Sequence, residues 1–586
     1  MTLVRWRLWV VLFAAASLLA EMPIFPLREV RAGQHGVGRT VLQGNKISEF
    51  QVEILGVLEN LGPKQSIIIG RLSGAGLENA GVLEGMSGSP VYIDGRLVGA
   101  VALAFPFSKE PIAGIRPIED MLPPSGAPPK ESYARPMLFS PEITAAVQPA
   151  GAIGLGETRL TPISTPVSFN GFTDRTIEYF SPQLKRLGLE PRQGLSAGGH
   201  PATMGTSADL HPGEMISVQL MSGDMSVGAD GTVTAIDGKR IYAFGHQFLS
   251  VGDTEIPFAR ADVITVLPNY SSSFKISTAR QWMGTILQDR STAIAGELGR
   301  KADTAPIAIE LSGSNGQTAR YNMRMVSDPV LSPLLLQLAV FSTLDANERS
   351  FGAATFNING EVDFDGGVTP LRVDNTFAGD FSVPQQASLT VASPLAYALE
   401  AGFKSLRVRG VRLAIRADER KRVLQVDQIS ASKRTVSPGE GVDVAVTLEG
   451  EDGREELKTV HFTVPIGTRA GALQFTVSDA TTTNLLNYAQ TIGITPKSAS
   501  QVLAFLNDLR PNTKAYVRMW TTDPAYQVQG ADLPDPPPSL GLILARSQGA
   551  PGALSLLRGS GLAEREIDGG ENVINGSKTV QVEVKE

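Results

Sequence analysis

Hydrophobic and polar positions alternate with a period of two along much of the chain, as they do in strands that bury one face. Phe50, Val52 and Ile54 alternate with Gln51 and Glu53, and Gly56-Val57 nearly continues the run. Ser66-Ile67-Ile68-Ile69 and Val91-Tyr92-Ile93 are short β-branched stretches, and Asp94-Gly95 marks a tight hairpin into the strand expected over 96–101. From about 213 the pattern returns: 232–236, a turn at Asp237-Gly238 and 240–244 predict a second hairpin, with further strands at 263–267 and 307–311. The stretch 350–430 also reads as strand-like, with 387–391 as an example. Val442, Val444, Val446 and Leu448 alternate cleanly, as do Leu473, Phe475 and Val477, which predicts a small immunoglobulin-like sandwich over 423–480. Helical spacing is confined to 500–509, where Val502, Phe505, Leu506 and Leu509 share a face before Pro511, and to a short helix near 182–187. Pro123-Pro124-Ser125-Gly126-Ala127-Pro128-Pro129-Lys130 reads as a linker.

A chain of 586 residues is too long for one core, at roughly 150 residues per domain. Its 60 Gly and 38 Pro exceed the usual shares of about 7 % and 5 %, which implies many turns and short elements. The net charge of −7, without basic clusters, argues against nucleic-acid partners. With no Cys, the chain has no disulfide scaffold, thiolate zinc site, cysteine nucleophile or lipid-bearing N-terminal Cys. Arg5 and Arg7 followed by an apolar run over 8–19 and the small Ala20 have the form of a secretory signal over 1–20. The run is shorter than the roughly 20 residues a span requires, so export to a bacterial periplasm, envelope or medium is expected, with no stable membrane span after cleavage. An uncleaved short anchor is the alternative.

Gly85-Met86-Ser87-Gly88-Ser89-Pro90 stands just before a predicted strand and hairpin. A serine nucleophile needs a tight turn that projects Oγ, and backbone N–H groups aimed at the developing oxyanion. Flanking glycines permit such a turn because they accept positive φ. The string resembles the Gly-Asp-Ser-Gly-Gly-Pro turn of chymotrypsin-like peptidases. That resemblance makes Ser87 the nucleophile and assigns the oxyanion hole to the N–H groups of Gly85 and Ser87. The competing reading is a plain Gly/Ser/Pro turn between strands.

A serine nucleophile needs an imidazole base, and there are five histidines. His35 is too close to Ser87 for a first barrel to intervene, with no Asp in the interval to orient it. His200 and His211 each precede Pro, and His461 lies in the predicted sandwich. His246 ends a hairpin strand beside Gly245, where a rigid strand could hold the ring, and is the preferred base. Asp253, seven residues on, could orient it; so could a backbone carbonyl.

Residues 32–120 resemble the SpoIVB family of serine peptidases, through Gly36-Val37-Gly38-Arg39-Thr40-Val41, the 50–57 strand, the 81–90 segment with its hairpin, and Pro117-Ile118-Glu119-Asp120. A second patch, Gly231-Thr232-Val233-Thr234 with Ala243-Phe244-Gly245-His246-Gln247-Phe248, resembles the family's histidine segment. In the sporulation members that segment comes first, so this chain departs from their order, and a circularly permuted chymotrypsin-like double β-barrel, mainly β, is expected. The serine half would span 21–121 and the histidine half 213–325, with 122–212 between them. A β-rich module over 326–422, the Ig-like sandwich and a small α+β module over 481–586 would follow. The family's Asp lies shortly before its serine, yet 60–86 contains no Asp; Glu78 and Glu84 read as solvated.

The resemblance implies an exported serine endopeptidase acting on a restricted protein or peptide substrate, perhaps an envelope protein or the chain itself. Ala100, Ala102 and Ala104 could border its substrate pocket. The rival is an inactive peptidase fold kept as a binding scaffold, which the missing Asp favours. No cofactor or metal is expected: there is no His-Glu-x-x-His and no phosphate loop, and the carboxylates of 361–366 and 449–456 match no EF-hand spacing.

Overall fold

The computed structural model describes residues 22–62, 65–105, 107–122, 153–155, 158–163, 165–187, 189–194, 201–270, 272–314, 316–347, 352–491, 496–523, 525–528, 531–533, 539–540, 543, 554–557 and 559–585. The expected signal over 1–20, the linker over 123–130 and His200 lie outside them.

Six strands form the first unit: β1 (His35–Gln43), β2 (Lys46–Gly62), β3 (Gln65–Ser73), β4 (Pro90–Ile93), β5 (Arg96–Ala104) and β6 (Ile112–Pro117). They pair antiparallel in the order β4-β1-β2-β3-β6-β5, and β5 returns to β4, so the sheet closes into a six-stranded barrel. Closure removes the exposed edges of a short open sheet. Alternation along β2 turns Phe50, Val52 and Ile54 into the barrel with Ile68, Val101 and Ile115. Gly38 faces Phe50 across the ladder, where a Cβ would stand 2.1 Å from the ring.

Two short strands follow, β7 (Ile153–Leu155) and β8 (Thr158–Pro162), and β8 pairs antiparallel with the end of β5. Then come β9 (Thr165–Asn170), β10 (Leu189–Gln193), β11 (Met215–Gly223), β12 (Ser226–Asp237), β13 (Arg240–Ala243), β14 (Gly252–Leu267), β15 (Phe274–Arg290) and β16 (Ala293–Leu298). The pairings β11–β12–β13–β16–β15–β14–β11 close a second ring of six strands. Strands β14 and β15 stay paired for 13 residue pairs only because four register shifts coil them around the ring.

The boundary expected at 325 is not a break. The strands Thr318–Val326, Thr304–Ser312, Val408–Asp418, Ala354–Phe364 and Leu371–Gly379 continue the second ring into one 13-stranded sheet. Helices Leu331–Asn347 and Val383–Glu400 belong to the same core. The strand expected at 387–391 is therefore helix. Ala387, Val391, Leu395 and Ala398 are buried at spacings of four, four and three, the helical period. Over 423–480 the chain forms a two-sheet sandwich with Val442, Val444, Val446, Leu448, Phe475 and Val477 inside. The sandwich does not stop at 480, because Lys514–Thr521 and Ser577–Val584 pair directly with Gly471–Asp479. Among the described residues no helix is long and apolar enough to cross a membrane.

Candidate active site

The two rings meet at the turn before β4. Gly85 and Gly88 hold φ of +88° and +93°, a conformation that favours glycine, so Met86 and Ser87 stand on a reversal bracketed by the residues that permit it. Met86 N–H donates to Leu83 O (3.0 Å), Ser89 N–H to Met86 O (2.9 Å) and Gly88 N–H to Val101 O (2.8 Å). Among the described residues, the N–H groups of Gly85 and Ser87 have no hydrogen-bond partner. The second ring clamps the carbonyl side of the turn. Thr232 N–H donates to Ser87 O (2.8 Å), Thr232 Oγ1 to Gly85 O (2.9 Å) and Thr234 Oγ1 to Gly88 O (2.7 Å).

The histidine turn lies against the same residues. A Cβ on Gly88 would stand 2.5 Å from Phe244 N, and one on Gly245 would stand 3.0 Å from the Ala102 methyl and 3.3 Å from that of Ala100. The small residues of β5 thus admit the Phe244-Gly245-His246 backbone. Phe244 carries φ +70°, a costly conformation for a bulky residue, held by its buried ring over Gly231. His246 is 3 % exposed, and its Nδ1 lies 2.6 Å from Gln247 O. A carbonyl only accepts, so Nδ1 carries the proton and Nε2 presents a lone pair, the tautomer a general base requires. Ser87 is fully buried, and Ser87 Oγ and His246 Nε2 both lack hydrogen-bond partners among the described residues, one another included. Two unsatisfied buried polar atoms on facing turns are costly for stability and suit a reactive site. Burial pulls the His246 imidazolium down to about 4, and the nearby Arg116 guanidinium, whose Nε donates to Gly245 O at 3.4 Å, adds to this.

The structure does not bring Asp253 to the ring. It is exposed at the start of β14, where Oδ1 accepts from Gln288 Nε2 at 3.5 Å. The carboxylate that serves this loop is Asp289, near the end of β15. Asp289 is 2 % exposed and accepts from the N–H groups of Phe248 (2.8 Å), Leu249 (2.6 Å) and Val251 (3.4 Å), fixing the loop that follows His246. Burial raises its carboxyl. Glu84, read as solvated, is 3 % exposed, because Arg192 (3.0 Å) and Ser272 (2.7 Å) arrive from distant segments to bond it. Of the other histidines, His35 and His211 are exposed, and His461 pairs with Asp443 on the sandwich surface. The carboxylates Glu361 and Asp363 pair with Arg412.

Sequence reasoning also missed Lys275. It is 2 % exposed on β15, and its Nζ donates to Thr40 Oγ1 (2.8 Å) and Gly85 O (3.2 Å). Together with Thr232 it fixes the carbonyl of the peptide that leads into Met86 and Ser87. Burial pulls the ammonium down to about 7 against the opposing pull of the buried Asp230. An unfolded lysine keeps its proton to about 10.4. Between about pH 7 and 10 the unfolded chain therefore binds more protons than the folded one, so stability rises with pH. The urea midpoint of the parent chain is expected to gain on that of Lys275→Met from pH 7 to pH 10. A difference that stays flat across this window would contradict the lowered ammonium.

No curated protein and no solved structure matches the chain. The family model described as SpoIVB peptidase S55 matches residues 14–122, the segment that contains the first barrel and Ser87. Over those residues the chain is similar to that family of peptidases.

Proposed function

We propose that the chain is an exported serine endopeptidase of permuted double-barrel type, acting on a restricted protein substrate through Ser87 and His246. The observation that carries this reading is the meeting of two turns, one from each closed ring, with Ser87 Oγ and His246 Nε2 both without partners among the described residues. Ser87 Oγ attacks the peptide carbonyl while His246 Nε2 takes its proton and then delivers it to the leaving amine. The N–H groups of Gly85 and Ser87 receive the oxyanion. The Gly85 peptide is kept in place by Lys275 and Thr232, whose bonds engage its carbonyl. Orientation of the imidazole comes from Gln247 O rather than from a carboxylate, so the catalytic set is a dyad with Asp289 fixing its loop. Acidic net charge and the absence of basic clusters agree with a protein rather than a nucleic-acid partner.

A scaffold without catalysis is the second reading, favoured by the lack of a carboxylate on His246 Nδ1. A fluorophosphonate probe separates the two. Labelling of the mature protein is expected to map to the peptide containing Ser87, to vanish in Ser87→Ala and to slow in His246→Ala. Correctly folded protein that takes up no probe under any of the conditions below would leave the scaffold.

A further inference from the structure

Strand β5 lies alongside the nucleophile turn. Gly88 N–H donates to Val101 O (2.8 Å) and Val101 N–H to Ser89 O (2.9 Å), so Val101 is tied to the turn in both directions. The next three residues of β5 hold another segment of the chain. Ile163 N–H donates to Ala102 O at 2.9 Å, Pro162 pairs with Leu103, and Thr161 pairs with Ala104 and donates its hydroxyl to Ala104 O at 3.4 Å. The main chain of 161–163 thus runs antiparallel along 102–104, and its C-terminal end arrives beside the nucleophile turn. The Ile163 side chain is 4 % exposed and belongs to the core cluster of Leu83, Met86, Val101, Ala113 and Ile115, in which Met86 is the residue before Ser87. Leu160, two residues before Pro162, is buried separately with Ile67, Ala102 and Leu103.

Resting on the peptidase reading above, we propose that residues 160–163 occupy the strand on which this enzyme holds its substrate. The folded chain closes its own cleft, and the cleft accepts an extended peptide with an aliphatic side chain in the place of Ile163. A peptide added to a strand gains affinity from main-chain hydrogen bonds and specificity from pockets for particular side chains. Both are present here: the Ala102 carbonyl accepts a main-chain N–H, and the apolar cluster that includes Met86, the residue before the serine, takes a branched side chain. Ser87 is fully buried in this closed state. A tethered segment competes at an effective concentration of about millimolar or more, so free peptides enter only when the tether leaves. The tether is built to leave, since β8 is five residues long and ends in Pro162, which has no N–H to give.

The test uses the full chain and a fluorescein-labelled hexapeptide, Arg-Leu-Thr-Pro-Ile-Ser, the sequence of 159–164. Ile163→Asp places a charge in the apolar pocket and should expel the segment; Ile163→Ala weakens it more gently. The hexapeptide is expected to bind Ile163→Asp at least about tenfold more tightly than it binds the parent, with Ile163→Ala between them. A hexapeptide carrying Asp in place of Ile should not bind. Ser87 should take up the fluorophosphonate probe at least about tenfold faster in Ile163→Asp than in the parent. Equal, weak peptide binding by the parent and both folded variants overturns the proposal, as does a parent that binds the peptide as tightly as the variants. Should Ile163→Asp not fold, Ile163→Ala decides on the same readings. Peptide binding gained without any labelling of Ser87 would keep the strand site and remove the peptidase reading. Brisk labelling in the parent, unchanged in the variants, would do the reverse.

Discussion

His246→Gln is expected to lower kcat/KM by at least about 10³-fold relative to its parent while leaving the thermal midpoint at neutral pH close to the parent value. The substitution keeps a side chain of similar size in the buried turn and removes the imidazole to which the proposed mechanism assigns the Ser87 Oγ proton. The pH profile makes the test specific. An imidazole acts as base only when neutral, so activity falls as pH drops through the free-enzyme value. For this buried ring that value is about 4 rather than the ordinary 6.5. The parent should therefore hold its kcat/KM down to about pH 5 and lose it near 4. Stability carries the same signature with a definite sign. Between about 4 and 6.5 an unfolded histidine binds a proton that the folded one refuses, so the parent loses stability as pH falls through that window. His246→Gln should not show that loss. An acid limb near 7 that survives His246→Gln would instead assign the base to Lys275, whose ammonium burial brings down to about 7.

The parts of this site that were legible in the sequence are those that local physics dictates. Glycines on both sides of Ser87 announce a reversal with positive φ before any neighbour is known, and the Asp94-Gly95 hairpin is a matter of four residues. Elimination among five histidines and a place at the end of a hairpin strand point to His246. What could not be read is what depends on distant pairing. Closure of the rings rests on pairings of distant strands, β1 with β4 and β3 with β6 in the first and β11 with β14 and β13 with β16 in the second, that alternation does not encode. Glu84 looks like a solvated turn residue until Arg192, more than a hundred positions on, is laid over it. Asp289 and Lys275 sit among ordinary strand residues of β15, and only the coiling of that strand carries one to the histidine loop and the other to the serine turn. The helix Val383–Glu400 replaces the strand expected at 387–391 because its apolar residues also fill a short β-like run. Its period of about 3.6 becomes visible only over the full 18 residues. Alternation at 442–448 gave the sandwich face correctly, but the strands that complete the second sheet lie as far away as 577–584.

Gly88→Ala is expected to separate the two rings where they meet. A Cβ at Gly88 would lie 2.0 Å from Thr232 O and 2.5 Å from Phe244 N, both backbone atoms, the first within β12 and the second directly after β13. No side chain can swing aside to make room, so either the turn or the start of the histidine loop must move. The φ of +93° adds a conformational cost of about 1 kcal/mol or more for any residue with a Cβ. Overpacking against fixed atoms typically adds about 1 to 3 kcal/mol, which puts the loss for Gly88→Ala at about 3 kcal/mol. Gly95→Ala is the matched control. Gly95 has φ +73° in the Asp94-Gly95 hairpin, and a Cβ there would meet nothing within 4 Å, so only the conformational cost of about 1 kcal/mol remains. Chemical denaturation followed by the fluorescence of Trp282, on β15 of the second ring, with the other tryptophans replaced, reads both losses in one protein. The expected order is a large drop for Gly88→Ala and a small one for Gly95→Ala, with Ser87 labelling retained only in the second. Equal losses would mean that the rings yield freely at this contact. The rigid apposition of Ser87 and His246 that catalysis by this pair demands would then be absent.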